Sequence, residues 1–250
     1  MQKPIALITG ASRSIGIGHS IALSLAQSGW DIAITYWQPY DESMPWGSQP
    51  QEVEQLCTVL KEHGARVLAV EADLSVTNAP AQIFDQAEDE LGPITGLVMS
   101  HCHSVDSDIL TTTIEAFDLH FAVNTRATWL LIREFGKRFA RPKGEGRIIA
   151  ITSDHTVGNL PYGASKGAMD RIVLAAAHEF SDLGITANVI NPGATDTGWM
   201  TEDQLSEFGS QVPLGRVGLP QDCANLVHFL CSEEGGWING QLLKSNGGIA

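Results

Sequence analysis

Seven short runs of apolar, β-branched residues recur along this chain, and segments of helical periodicity separate them. Residues 5–9 (IALIT), 31–36, 66–71, 96–100, 147–152, 186–190 and 241–244 read as strands, and 19–28, 52–62, 79–91, 114–139, 162–182 and 221–231 as helices. Alternation of this kind builds βαβ units with right-handed crossovers, and hence a mostly parallel sheet covered by helices on both faces. IALIT and RIIAIT are apolar throughout instead of alternating, as strands buried on both faces must be. The expectation is an α/β chain in three αβα layers around a mostly parallel seven-stranded sheet. With no repeat, low-complexity tract or linker-like shift in composition, residues 1–250 read as a single domain.

One segment breaks the rhythm. Residues 37–50 (WQPYDESMPWGSQP) are too long and too aromatic for an ordinary βα connection. They read first as a surface loop packing its own tryptophans, and second as a flap over a bound ligand.

Charge narrows the choice of partner. A formal net charge of −14 argues against nucleic acid, whose phosphates need clustered Lys and Arg. An anionic cofactor is still compatible, because amides at a helix N-terminus hold phosphate without net positive charge. The four cysteines form no CxxC pair and read as reduced thiols of a cytoplasmic protein. No signal-peptide pattern precedes the first strand, and no apolar stretch approaches the ~20 residues that span a bilayer.

The first strand runs into Thr9-Gly10-Ala11-Ser12-Arg13-Ser14-Ile15-Gly16-Ile17-Gly18 and then a helix. A glycine-rich turn between a strand and a helix is the setting in which such glycines bind a dinucleotide. Gly10 permits the tight turn, Gly16 lets the backbone approach a pyrophosphate, and Gly18 allows close packing of helix on strand.

Further along, the strand 147–152 leads into Ser153, and a helix opens on Tyr162-Gly163-Ala164-Ser165-Lys166. Tyr and Lys four apart share a helix face. An ammonium beside a phenol favours its ionised form, so the expectation is a Tyr162 pKa drawn down from its usual value of about 10. Such a phenol protonates a carbonyl oxygen as hydride reaches the carbon, or removes that proton in reverse. The Ser153 hydroxyl can hold the same oxygen.

Together these motifs resemble the short-chain dehydrogenase/reductase family, with its TGxxxGxG turn and its Ser, Tyr and Lys, and in particular its 3-oxoacyl-reductase-like members. With Gly16 and Gly18 as the last glycines, the turn is two residues longer than the family's usual form. The resemblance implies a Rossmann fold with Tyr162 as acid/base, Lys166 tuning it and holding ribose, and Ser153 orienting the substrate. It matches Asn124 to a residue supporting a proton relay through Lys166. It assigns Gly10, Ser12, Arg13, Gly16, Ile17 and Gly18 to the cofactor, with Asp73 and Leu74 at the adenine. Pro192, Gly193, Thr195 and Thr197 of the family's PGxxxT would stand at the carboxamide, and Tyr162 and Lys166 at the ribose. It also implies a homotetramer or homodimer paired through the two long helices.

Two departures stand out. Met99-Ser100-His101-Cys102 replaces the family's Asn-Asn-Ala-Gly, leaving Ser100 as the hydrogen-bonding cofactor contact. The loop from Ser153 to Tyr162 is about four residues short of the family's usual length. His101, His103 and His155 gather near one edge of the sheet, but without zinc spacing, and no metal is expected. His155 is the histidine nearest a role in substrate contact.

For the cofactor, position 36 is Tyr where NAD enzymes place Asp or Glu, and Arg13 can offer a cation to a 2′-phosphate. NADP(H) is favoured over NAD(H). The reading is thus an NAD(P)(H)-dependent oxidoreductase acting on a small-molecule carbonyl or alcohol. Its rivals are a non-catalytic nucleotide-binding protein on a degenerate scaffold, and a dehydratase, epimerase or lyase on the same fold.

Overall fold

The computed structural model describes residues 3–249. Seven strands form one all-parallel sheet in the order β3-β2-β1-β4-β5-β6-β7. They are β1 (Ile5–Thr9), β2 (Asp31–Tyr36), β3 (Val67–Glu71), β4 (Gly96–Met99), β5 (Arg147–Ile151), β6 (Thr186–Asn191) and β7 (Leu242–Lys244). Strand order reverses between β1 and β4, so the crossovers on the two sides diverge and leave a crevice at the carboxyl ends. Thr9 pairs with Thr35 and with Met99, which brings the ends of the three strands flush at that crevice.

The apolar strands feed two cores. Ile5 and Leu7 of β1 point to the layer of α4 (Ala79–Glu90), α6 (Ala127–Arg138) and α7 (Leu160–Glu179), where Phe84, Phe135 and Val173 are buried. Ala6 and Ile8 point the other way, to α1 (Ile17–Gln27), α3 (Pro50–Glu62) and α9 (Pro220–Cys231), where Ile21, Leu56 and Val227 are buried. Every β1 side chain is essentially inaccessible, which explains a strand with no polar face.

Local structure departs from the sequence reading in four places. The expected helix 114–139 is divided into α5 (Ile114–His120), a π-helical turn (Phe121–Arg126) and α6. Asn124 lies in the widened turn, where its carbonyl accepts the Thr128 hydroxyl at 2.8 Å, and Thr125 Oγ1 donates to Ser165 O on α7. Segment 37–50 contains a short helix, α2 (Gln38–Ser43). The region after Thr197, for which no helix was expected, holds α8 (Glu202–Gln211), opened by a capping box between Thr201 and Gln204. Finally, α7 starts at Leu160, ahead of Tyr162, with Pro161 in its first turn.

Candidate active site

The glycine turn is a cradle from which side chains are excluded. Gly10 has φ +75°, and a Cβ there would lie 2.7 Å from His101 Cα. A Cβ on Gly18 would approach the Gly10 carbonyl oxygen to 2.4 Å. Gly16 caps α1 without a side-chain hydrogen bond, and no acidic residue occupies the first turn. The leading amides of α1 therefore keep their donors, and the helix dipole adds partial positive charge. Backbone this bare, at a helix N-terminus, fits the diphosphate of a dinucleotide.

A cavity of about 420 Å³ opens beside the cradle. Of the expected cofactor residues, Gly10, Ser12, Arg13, Gly16, Ile17, Asp73, Leu74, Ser100 and Thr197 line it. Asp73 Oδ1 accepts Ser75 N at 2.8 Å, which fixes the turn after β3. Gly18 stands behind the wall as a packing contact. Pro192, Gly193, Thr195, Tyr162 and Lys166 are not among the lining residues: Thr195 Oγ1 turns back to the Pro192 and Gly193 carbonyls, both at 3.3 Å, and its backbone bridges to Gly218.

Segment 37–50 packs on itself, Tyr40 lying edge-on to Trp46 with ring centroids 6.5 Å apart, and beyond the first of its two readings it also forms part of the cavity wall. Trp37, Pro39, Tyr40, Asp41, Ser43 and Trp46 all line the cavity. The strap they form is pinned at both ends of the opening. Tyr40 Oη donates to Ser104 O at 3.1 Å beyond β4, and Trp46 stacks 4.5 Å from Trp199. The Arg13 guanidinium lies 4.4 Å from the Trp46 ring centroid, a cation–π contact. Asp41, 5 % exposed, accepts the Trp46 indole N–H at 3.0 Å. Burial lowers the Arg13 pKa, while Asp41 and Glu52 act to raise it. That segment 37–50 covers a ligand site was open to reading from the sequence, but which of its residues reach the wall, and that Trp199 meets Trp46 there, was not. Aromatic density in WQPYDESMPWG was the available signal, but the partner residues are far off in the chain.

The catalytic candidates meet at the ends of β5 and α7. Lys166 is 2 % exposed, and its Nζ donates to Ile151 O at 2.8 Å. It lies 5.7 Å from the Tyr162 ring centroid. The Ser153 hydroxyl is near enough to the Tyr162 phenol to act on its pKa, and it accepts His155 N at 3.1 Å. Burial raises the Tyr162 pKa, with Ser153 acting to lower it. The expected lowering by Lys166 is thus not found: the amine is engaged by Ile151, and its own pKa is lowered by burial. Asn124, wholly buried, spends its amide on neighbours. Its Oδ1 accepts His103 N at 2.7 Å, and its Nδ2 donates to His103 O and Ser165 Oγ, both at 2.9 Å. It ties the segment after β4 to α7.

The substituted Met99–Cys102 turn is accommodated by turning His101 inward. Its Nδ1 meets Thr9 Oγ1 at 2.6 Å and its Nε2 meets Val123 O at 3.1 Å. Burial pushes its pKa down to about 3, so the ring is neutral and joins β1 to the π turn. His103 packs edge-on against His120 with ring centroids 4.6 Å apart. Among the described residues, no group of three or more His, Cys, Asp or Glu is arranged to hold a metal ion.

The sequence profile of the family described as enoyl-(acyl carrier protein) reductase matches residues 10–250. The chain belongs to the short-chain dehydrogenase/reductase family. As a member of it, the protein is an NAD(P)(H)-dependent oxidoreductase that moves hydride between a nicotinamide and a carbonyl–alcohol pair. Uncharacterized oxidoreductase YjdA of Bacillus subtilis is 36% identical over 253 residues, covering 99% of this chain and 97% of the relative. The NADPH-dependent aldehyde reductase-like protein of Arabidopsis thaliana chloroplasts is 32% identical, covering 98% of this chain and 93% of the relative. Among solved structures, a blue fluorescent protein from a metagenomic library in complex with NADPH superposes with TM-score 0.87 at 30% identity, covering 99% of this short-chain dehydrogenase/reductase and 98% of that chain. No helix among the described residues is long and apolar enough to cross a membrane.

Proposed function

We propose that this short-chain dehydrogenase/reductase is an NADP(H)-dependent carbonyl reductase whose proton donor is Tyr162. The observation that carries the reading is the pairing of a phenol with a buried amine one helical turn away, with Cys102 of the cavity wall acting on both. The bound nicotinamide supplies the hydride. Because burial raises its pKa, Tyr162 stays protonated across the neutral range, which suits a general acid better than a base and favours the reductive direction. Ser153, which acts on the phenol, holds the substrate oxygen beside it. Lys166 keeps positive charge next to the tyrosinate left after proton transfer and presents its remaining donors to ribose hydroxyls. Asn124 holds the segment after β4 against α7, keeping Lys166 and the cradle in register and supporting a proton relay.

Arg13 and Ser12 on the cavity wall, with Tyr36 and no carboxylate at the end of β2, supply the case for NADP(H) over NAD(H). The NADPH-bound structural neighbour and the NADPH-dependent plant relative point the same way. We read residues 1–250 as one catalytic domain, assembled as a homodimer or homotetramer and working in the cytoplasm.

Nucleotide fluorescence titrations with NADPH and NADH, followed by reduction assays on aldehydes and ketones with wild type and Tyr162→Phe, test the reading. The expected result is tighter NADPH binding and a loss of turnover of ~10²–10⁴-fold in a folded Tyr162→Phe protein. Near-native turnover in that variant would remove Tyr162 from the mechanism.

A further inference from the structure

We infer that Asp170, a residue outside the family's catalytic group, is the counter-ion that keeps Lys166 charged, so that it acts as a positioning residue for proton transfer. This rests on the proposed roles of Tyr162 and Lys166.

Lys166 and Asp170 stand four residues apart on α7, on one face of the helix and one turn from each other. Lys166 is 2 % exposed, and the protein acceptor of its ammonium is a neutral carbonyl, that of Ile151 at 2.8 Å. A cation removed from water with one neutral acceptor is strongly destabilised unless an anion lies close. The groups that act on it electrostatically are Cys102 and Asp170. Burial raises the pKa of the Cys102 thiol, so it is uncharged at neutral pH, and His101, which also faces Lys166, is neutral. That leaves the carboxylate as the compensating charge.

Asp170 is itself built for the position. Its Oδ1 is buried without a hydrogen-bond partner, and so is Oγ1 of Thr152, the residue between Ile151 and the substrate-orienting Ser153. Burial raises the Asp170 pKa, while the Thr152 hydroxyl, Lys166 and, from the same helix, Arg171 act to keep it ionised. Two orphaned oxygens, close enough for the hydroxyl to act on the carboxylate, leave room in the hydrogen-bonding pattern for a proton or a water to join them. A surface aspartate on a helix needs none of this.

With the phenol of Tyr162 raised, Lys166 is the group of the pair that loses its proton first as pH increases. Removing the Asp170 charge therefore makes Lys166 a stronger acid and moves the basic limb of turnover to lower pH. An adjacent opposite charge shifts a pKa by roughly 1–3 units, so a displacement of about one pH unit is expected.

The test is an NMR pH titration of protein carrying ¹³C at lysine Cε, with Lys166 assigned by its loss in Lys166→Met. The Lys166 midpoint is expected about one unit lower in Asp170→Asn than in wild type, and restored in Asp170→Glu. If Asp170→Asn does not fold, Thr152→Val decides instead, with a smaller displacement in the same direction. An unmoved Lys166 midpoint in the folded variant overturns the inference. Because the readout is the lysine itself, it separates from the catalytic reading: active Tyr162→Phe would sink that reading while leaving the titration to be judged on its own.

Discussion

Gly18 lies against the carbonyl of Gly10, and a Cβ added to it would stand 2.4 Å from that oxygen. The contact sets how deeply the N-terminus of α1 reaches toward the cavity. Gly18→Ala must push the helix off the turn, because the obstacle is backbone and cannot rotate away. We expect a loss of ~1–3 kcal/mol in stability and a large loss of NADPH affinity. Urea unfolding and nucleotide fluorescence on one preparation check both, and unchanged affinity would place the diphosphate elsewhere.

Arg13→Gln should weaken NADPH binding much more than NADH binding. A hydrogen bond to a charged group is worth ~1.5–3 kcal/mol, or about 10- to 100-fold in affinity. Parallel loss for both nucleotides would mean that Arg13 serves the strap through Trp46 and not the 2′-phosphate.

Trp46→Ala removes the contacts with Arg13 and Trp199 together, freeing one end of the strap while Tyr40 still holds Ser104. Nucleotide dissociation should accelerate about tenfold or more, since each aromatic or cation–π contact is worth on the order of 1 kcal/mol. Stopped-flow displacement of NADPH measures it. An unaltered off-rate would make the strap a fixed wall.

Acid should destabilise the fold through His101 and His103. Burial depresses them from the ordinary 6.5 to about 3 and about 4 respectively. Between those values and 6.5 the unfolded chain binds protons that the folded one refuses, so stability is present above 6.5 and falls as pH drops through the window. The fully buried His101 dominates, with an effect on the order of a few kcal/mol by pH 4.5, and the partly exposed His103 adds less. Urea midpoints at pH 7 and 4.5 should diverge less in His101→Gln than in wild type.

Trp129, 49% exposed on α6, borders a groove of about 440 Å³ with Phe121 and Ile172. If these helices pair between copies as proposed, Trp129→Glu should reduce the mass measured by light scattering to that of a smaller species. A wild-type monomer would remove the premise.

How much of this was legible in the chain differs by feature. Strands such as IALIT, apolar at every position, fix a parallel sheet buried on both faces, because no other environment accepts them. The spacing of Gly10, Gly16 and Gly18 after β1 marks the proposed phosphate cradle, and Tyr162 with Lys166 the proposed proton donor, because a short turn or one helical turn suffices to bring such residues together. What adjoins in space only through the fold was not legible. Nothing local says that Trp46 rests on Trp199, that Tyr40 reaches Ser104, or that a π turn aims the amide of Asn124 at both His103 and Ser165. The direction of the Tyr162 pKa belongs to the same class. Sequence spacing supplies a neighbouring charge, whereas the depth of burial and the Ile151 carbonyl that holds Lys166 decide which influence wins. The sequence determined the sheet, the glycine turn and the spacing of the proposed acid/base pair, since those follow from periodicity and short spacings. Tertiary structure alone decided the roof of the cavity and the electrostatics beneath it, since desolvation and long-range contacts depend on what the rest of the chain brings near.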